Sequence, residues 1–185
     1  EATESGRDSE TVSLLRVEAK ALGLWNLYLP DKVWGAGVSN HDYSLLCEHM
    51  GRSAAAPRVF NCQAPDTGNA EILAEFGTDA QKAKWLTPLL EGEIRSCFSM
   101  TEPDTSGADP TGIRTHAVKD GDEYVINGHK WFTSGAVGAE FAIAMVVTNP
   151  EGNPHERASM LIVPTSTPGF NLIRSVPVMG HTGGG

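Results

Sequence analysis

Apolar residues recur at helical spacing through the first half of the chain and alternate at period two through much of the second. From Glu10 to Leu22, Leu14, Leu15, Val17, Ala21 and Leu22 fall near one face, and the run stops at Gly23, which predicts a helix with that face in the core. Ser39 and Asn40 offer a cap to a second helix, in which Tyr43, Leu46, Cys47 and Met50 stand at i, i+3, i+4 and i+7 before Gly51. A further helix is expected from about Asn69 to Phe76, ending at Gly77. Thr78-Asp-Ala-Gln81 then has the form of a capping box opening a helix through Trp85 and Leu86, with Pro88 marking its end.

After Gly92 the period changes. Asp120-Gly121 and Asn127-Gly128 read as tight turns around a short alternating strand, which predicts an antiparallel meander. Strands are expected near 139–148, 157–164 and 170–175, with a loop over 149–154. The fold class is therefore α+β and multidomain, an amino-terminal helical domain over 1–92 followed by an antiparallel β-domain over 93–185.

With 185 residues and 40% apolar composition the chain can bury a core, and its most hydrophobic strand, Phe141 to Val147, is too short to span a bilayer. The polar, acidic start Glu1 to Glu10 is unlike a signal or transit peptide. A formal charge of -9 argues against nucleic acid as a partner, but backbone N–H groups can still hold the pyrophosphate of a small cofactor. Cys47, Cys62 and Cys97 lack metal-site spacing and read as buried thiols of a reducing compartment. His41 and His49 share a helix face without a third ligand, and neither they nor His129 and His181 receive a role; no metal is expected.

Two segments about thirty residues apart carry the chemistry. In the first, Cys97 to Asp104, a strand ends at Thr101-Glu102, and Pro103 turns the chain into the loop Asp104-Thr-Ser-Gly-Ala-Asp109, whose small residues and N–H groups could approach a phosphate closely. In the second, Trp131, Phe132, Thr133 and Ser134 alternate, so Phe132 and Ser134 are expected on one side of a strand, an aromatic ring beside a hydroxyl. Taken singly, each is compatible with an ordinary turn or with sheet core.

Their order and spacing resemble the FAD-dependent acyl-CoA dehydrogenases, chiefly the branch of family members ten and eleven and their bacterial relatives. The likeness extends through Leu24 to Pro30, Ala74 to Lys82, Trp85 to Gly92 and Thr167 to Phe170. The resemblance implies FAD as cofactor, with Phe98, Met100 and Thr101 approaching the flavin ring through backbone groups and the Thr101 hydroxyl. It places Phe132, Thr133 and Ser134 against the ring, with Ser134 near N5, and Ser106, Gly107 and Ala108 at the pyrophosphate. Ala108 would also meet the CoA substrate; many relatives have Ser there, and Phe132 replaces a common Trp.

The implied reaction is α,β-dehydrogenation of an acyl-CoA to a trans-2-enoyl-CoA, part of fatty acid oxidation, with electron-transfer flavoprotein as electron acceptor. The implied setting is an intracellular homo-oligomer, mitochondrial or peroxisomal in a eukaryote and cytoplasmic in a bacterium. The family's catalytic glutamate lies in a carboxy-terminal four-helix bundle absent from these 185 residues. No catalytic residue is therefore assigned, and negligible turnover is expected of this chain alone. The alternative is a non-catalytic flavin- or acyl-CoA-binding subunit completed by a partner. The stretch Asn61 to Asn69 reads either as a helix connector or as acyl-pocket lining.

Overall fold

Ser9 starts the first helix, α1 (Glu10–Ala21), its hydroxyl accepting from the N–H of Val12. The computed structural model describes residues 9–178, so His181 lies outside the described residues. The chain divides after Arg95 into two units.

In the first unit, α1 packs on α3 (Ala56–Val59) through Val12, Ala19 and Val59, with Trp25, Ala55 and Phe60 around them. The face expected to be buried is the exposed one, with Leu14, Val17 and Leu22 at 67%, 68% and 65% exposure. The reason is Arg16, which lies between Val12 and Ala19 on the packed stripe and donates to the carbonyls of Arg58 and Gly92 while stacking 4.9 Å from the Trp25 ring. A charged residue with a long apolar stem thus acts as a core residue that a hydrophobic count misses.

Ser39 caps α2 (Asn40–Met50), which buries Met50 but leaves Cys47 exposed, so of the three thiols only Cys62 and Cys97 are buried. The short α2 helix rests on its Tyr43, Leu46 and Met50 side, and Cys47 falls just off that side. Residues Asn61 to Asn69 pass into α4 (Asp66–Phe76), whose Asp66 accepts from Arg95 at 2.5 Å.

Thr78 and Gln81 form the expected capping box at α5 (Asp79–Gln81). The helix does not end at Pro88. A π-helical turn, Lys82–Leu86, carries it into α6 (Thr87–Leu90). In that turn the Thr87 N–H donates to the Lys82 carbonyl five residues back, and the shifted ladder accommodates a residue with no N–H of its own.

The second unit is a five-stranded sheet of β1 (Ser96–Ser99), β2 (His116–Asp120), β3 (Glu123–Asn127), β4 (Phe141–Val147) and β5 (Ala158–Pro164). It is mixed where a wholly antiparallel sheet was expected. The β2–β3 and β4–β5 pairs are antiparallel hairpin partners, whereas β1 runs parallel to β4 with Ser96 opposite Phe141 and Ser99 opposite Ala144. A strand that ends in a loop and returns after a separate hairpin enters beside its partner in the same direction. The near-continuous apolar run of β4 fits its central place, with β1 and then β2 along one edge and β5 along the other.

Gly121 (φ +61°) and Asp122 make the two-residue turn between β2 and β3. Asn127-Gly128 is not a hairpin turn, and residues 170–175 form no strand. Gly128 instead allows a close approach, since a Cβ there would stand 2.2 Å from the Thr115 hydroxyl oxygen. The chain leaving β3 is thereby laid against the segment entering β2.

Candidate functional site

Strand β1 ends at Ser99 and delivers Met100, Thr101 and Glu102; strand β3 ends at Asn127 and delivers Lys130, Trp131 and Phe132. The two deliveries meet. The Trp131 N–H donates to the Thr101 carbonyl at 3.0 Å, and Lys130 Nζ donates to the Met100 carbonyl at 2.8 Å. Lys130 Nζ also donates to Glu102 Oε1 at 2.9 Å.

Glu102 is buried and fully engaged, accepting from the N–H groups of Arg114 at 2.7 Å and Thr115 at 2.8 Å besides Lys130. Burial by itself would raise its pKa. Hydrogen bonds from Thr115, Lys130 and the Arg114 N–H outweigh burial and bring the pKa down to about 2. Burial likewise pushes the Lys130 ammonium below the ordinary lysine value, against the opposing pull of Glu102. Glu102 is thus a permanent carboxylate that ties strand ends together.

Because this tie draws residues 130 and 131 toward the end of β1, the segment does not continue as a strand. Phe132 takes a left-handed backbone conformation (φ +50°), so Phe132 and Ser134 do not share a strand face as expected. The Phe132 ring stands 46% exposed, its centroid 4.6 Å from that of Trp131.

A cavity of about 380 Å³ lies over the sheet face that carries Ser99, Ala142 and Ala144, small residues that leave room there. Phe132 and Thr133 line it, together with Lys130 and the stretch 169–176. Phe98, Met100, Thr101, Ser106, Gly107, Ala108 and Ser134 are outside that lining. The loop of Ser106, Gly107 and Ala108 is exposed and passes over Thr101, since a Cβ on Gly107 would press on the Thr101 methyl at 3.1 Å. Asp109 at its end is a cap, accepting from the Thr111 N–H at 3.0 Å and the Thr111 hydroxyl at 2.6 Å.

Sequence reasoning passed over Lys130, Ser99 and Gly128. The available signal was charge: an acid, Glu102, and a base, Lys130, stand just past the two strand ends.

Among the described residues, the hydroxyls of Thr101, Thr133 and Ser134 and the N–H groups of Ser106, Gly107 and Ala108 bond to no protein atom. The arrangement offers a flat aromatic face, three unspent hydroxyls and a glycine-containing loop with unspent N–H groups. Those groups suit a planar heterocycle with polar edges that is joined to a pyrophosphate. The residues present fit FAD.

Both units match domains of one family of oxidoreductases: "Acyl-CoA dehydrogenase, N-terminal domain" over residues 2–93 and "Acyl-CoA dehydrogenase, middle domain" over 97–184. The chain belongs to the acyl-CoA dehydrogenase family. Acyl-CoA dehydrogenase family member 10 of Mus musculus is 48% identical over 93% of the chain, and family member 11 of Homo sapiens is 47% identical over 92%. The chain spans 17% and 22% of the lengths of those two relatives.

A Mycobacterium abscessus protein assigned as an acyl-CoA dehydrogenase superposes with a TM-score of 0.90 at 48% identity, over 94% of this chain and 43% of its own. A glutaryl-CoA dehydrogenase of Mycobacterium smegmatis, solved in complex with FADH2, superposes with a TM-score of 0.68 at 28% identity, over 85% of this chain and 38% of its own. Members of the family are FAD-dependent.

Proposed function

We propose that the protein serves in α,β-dehydrogenation of an acyl-CoA to a trans-2-enoyl-CoA, with its described residues forming part of the FAD site. The observation that carries this reading is the joining of Met100-Thr101 to Lys130-Trp131, which gathers the Thr101, Thr133 and Ser134 hydroxyls and the Phe132 ring with no protein partner for any of the hydroxyls. When bound, FAD supplies the hydride acceptor. Thr101 and Ser134 would donate to polar edge atoms of its ring, Phe132 and Thr133 would pack beside it, and Phe98 and Met100 would support that surface from β1. Ser106, Gly107 and Ala108 would present N–H groups to the pyrophosphate, with Ala108 also facing the CoA.

The base that takes the α-proton is not Glu102, because a carboxylate with a pKa of about 2, already accepting three hydrogen bonds, has little affinity for a further proton. By family resemblance the base is a glutamate of the carboxy-terminal bundle. The same resemblance supports an intracellular homo-oligomer that passes its electrons to electron-transfer flavoprotein, within fatty acid oxidation. The nature of Glu102 also supports a second reading, a flavin- or acyl-CoA-binding subunit whose base comes from a partner chain.

Anaerobic mixing of the FAD-loaded protein, supplied with the relatives' carboxy-terminal segment, with acyl-CoAs of graded length tests the proposal. Bleaching of the visible flavin band with formation of the enoyl-CoA is expected. FAD binding without bleaching by any acyl-CoA, even when the relatives' carboxy-terminal segment is supplied, would leave the binding-subunit reading.

A further inference from the structure

Two hydrogen bonds at the strand ends come from one cation, Lys130. Three acceptors at the end of β1 are spent inside the protein: the Met100 carbonyl on Lys130, the Thr101 carbonyl on Trp131, and the Glu102 carboxylate on Arg114, Thr115 and Lys130. Among the groups unspent nearby are the hydroxyls of Thr101 and Ser134 and the N–H groups of the 106–108 loop. One side chain holds two of those acceptors. Lys130 is 12% exposed, and no other cation among the described residues pairs with Glu102, which is 5% exposed.

We propose that Lys130 is a positioning residue for the cofactor: by holding the Met100 carbonyl and the Glu102 carboxylate inward, it fixes the strand ends so that the Thr101 and Ser134 hydroxyls are held toward the flavin. This rests on the FAD reading above. Donors held at fixed positions complement an electron-rich ring, so they hold reduced FAD more tightly than oxidised FAD. Lys130 acts through the Met100-Thr101 peptide and the Trp131-Phe132 segment.

Charge pairing and carbonyl positioning are separable. Lys130→Met removes both. Glu102→Gln removes the ion pair but leaves the ammonium free to donate to the Met100 carbonyl. Lys130→Arg keeps a donor at the same place.

The test uses the full protein stripped of FAD and titrated with FAD, following flavin fluorescence, with the midpoint potential of the bound FAD and the melting temperature of each variant measured alongside. Lys130→Met is expected to weaken FAD binding about tenfold and to lower the potential by about 30 mV, the equivalent of a tenfold loss of preference for the reduced form. Lys130→Arg is expected to recover most of both. Glu102→Gln is expected to stay within about twofold of wild-type affinity whatever its melting temperature. If Lys130→Met fails to fold, Glu102→Gln/Lys130→Met removes both charges and is expected to show the same flavin changes.

The proposal is overturned if Lys130→Met leaves affinity and potential unchanged, or if the Glu102 and Lys130 variants lose affinity in step with their melting temperatures. Wild-type protein that binds no FAD overturns the flavin reading itself, and this inference with it.

Discussion

Trp131 donates its backbone N–H to the carbonyl of Thr101 at 3.0 Å, and this bond joins two segments that share no strand pairing. The closeness is built from the backbone outward, with Lys130 and Glu102 fastening it from below. The unspent hydroxyls therefore sit on a fixed frame.

Ser134 is exposed and its hydroxyl has no partner among the described residues, so Ser134→Ala is expected to change stability by no more than about 0.5 kcal/mol. The same change in the FAD-loaded protein, supplied with the relatives' carboxy-terminal segment, is expected to slow single-turnover flavin reduction several-fold. Equal reduction rates in both proteins would remove Ser134 from the flavin site.

The Glu102 carboxylate, with its pKa near 2, links acid stability to one group. Its folded pKa lies below the unfolded value of about 4.3, so its contribution is complete above that value and is lost as pH falls from there toward 2. Glu102→Gln, which strands the Lys130 charge, is expected to cost about 3 kcal/mol at neutral pH. In denaturant titrations the gap to wild type should then narrow across the acid window. A gap independent of pH between 5 and 2 would contradict the assignment.

At Gly128 a methyl group would lie 2.2 Å from the Thr115 oxygen and 2.5 Å from its Cβ, too near for any rotamer to relieve. Gly128→Ala is expected to destabilise the protein by about 1–3 kcal/mol, visible as a melting temperature lower by several degrees. Since Gly128 leads into Lys130, the variant is also expected to lose FAD affinity.

The two faces of α1 give an internal control. Val12 is 8% exposed and Val17 68%. Val12→Ala is expected to cost about 1–2 kcal/mol, and Val17→Ala no more than about 0.5 kcal/mol. Comparable losses in chemical denaturation would show that the face read from hydrophobic periodicity is buried after all.

The sequence showed most of the helices and most of the strands because their signals are local: Ser39 and Thr78 as caps, Gly121 in the hairpin turn, the apolar run at Phe141 to Val147. It was silent on what depends on distant partners. Arg16 belongs to the core only because Trp25 and the carbonyls of Arg58 and Gly92 receive it. The helix runs through Pro88 only because a π-turn shifts the ladder, and β1 is parallel to β4 only because a hairpin lies between them in sequence. The site was legible as two motifs but not as a joint, since nothing local to Lys130 or Phe132 announces a buried ammonium or a left-handed backbone.

The pairing of β1 with β4 also carries a consequence for the order of assembly. The β2–β3 and β4–β5 hairpins bring together residues near in sequence, whereas β1 must join residue 96 to residue 141 and wait for β4 to exist. Contacts that close long loops form late and open early when few others support them. In amide exchange, β1 and the residues that follow it should therefore lose protection before the two hairpins do. A cofactor bound at that strand end would act as a latch on the last piece to arrive, making its departure the first step of unfolding.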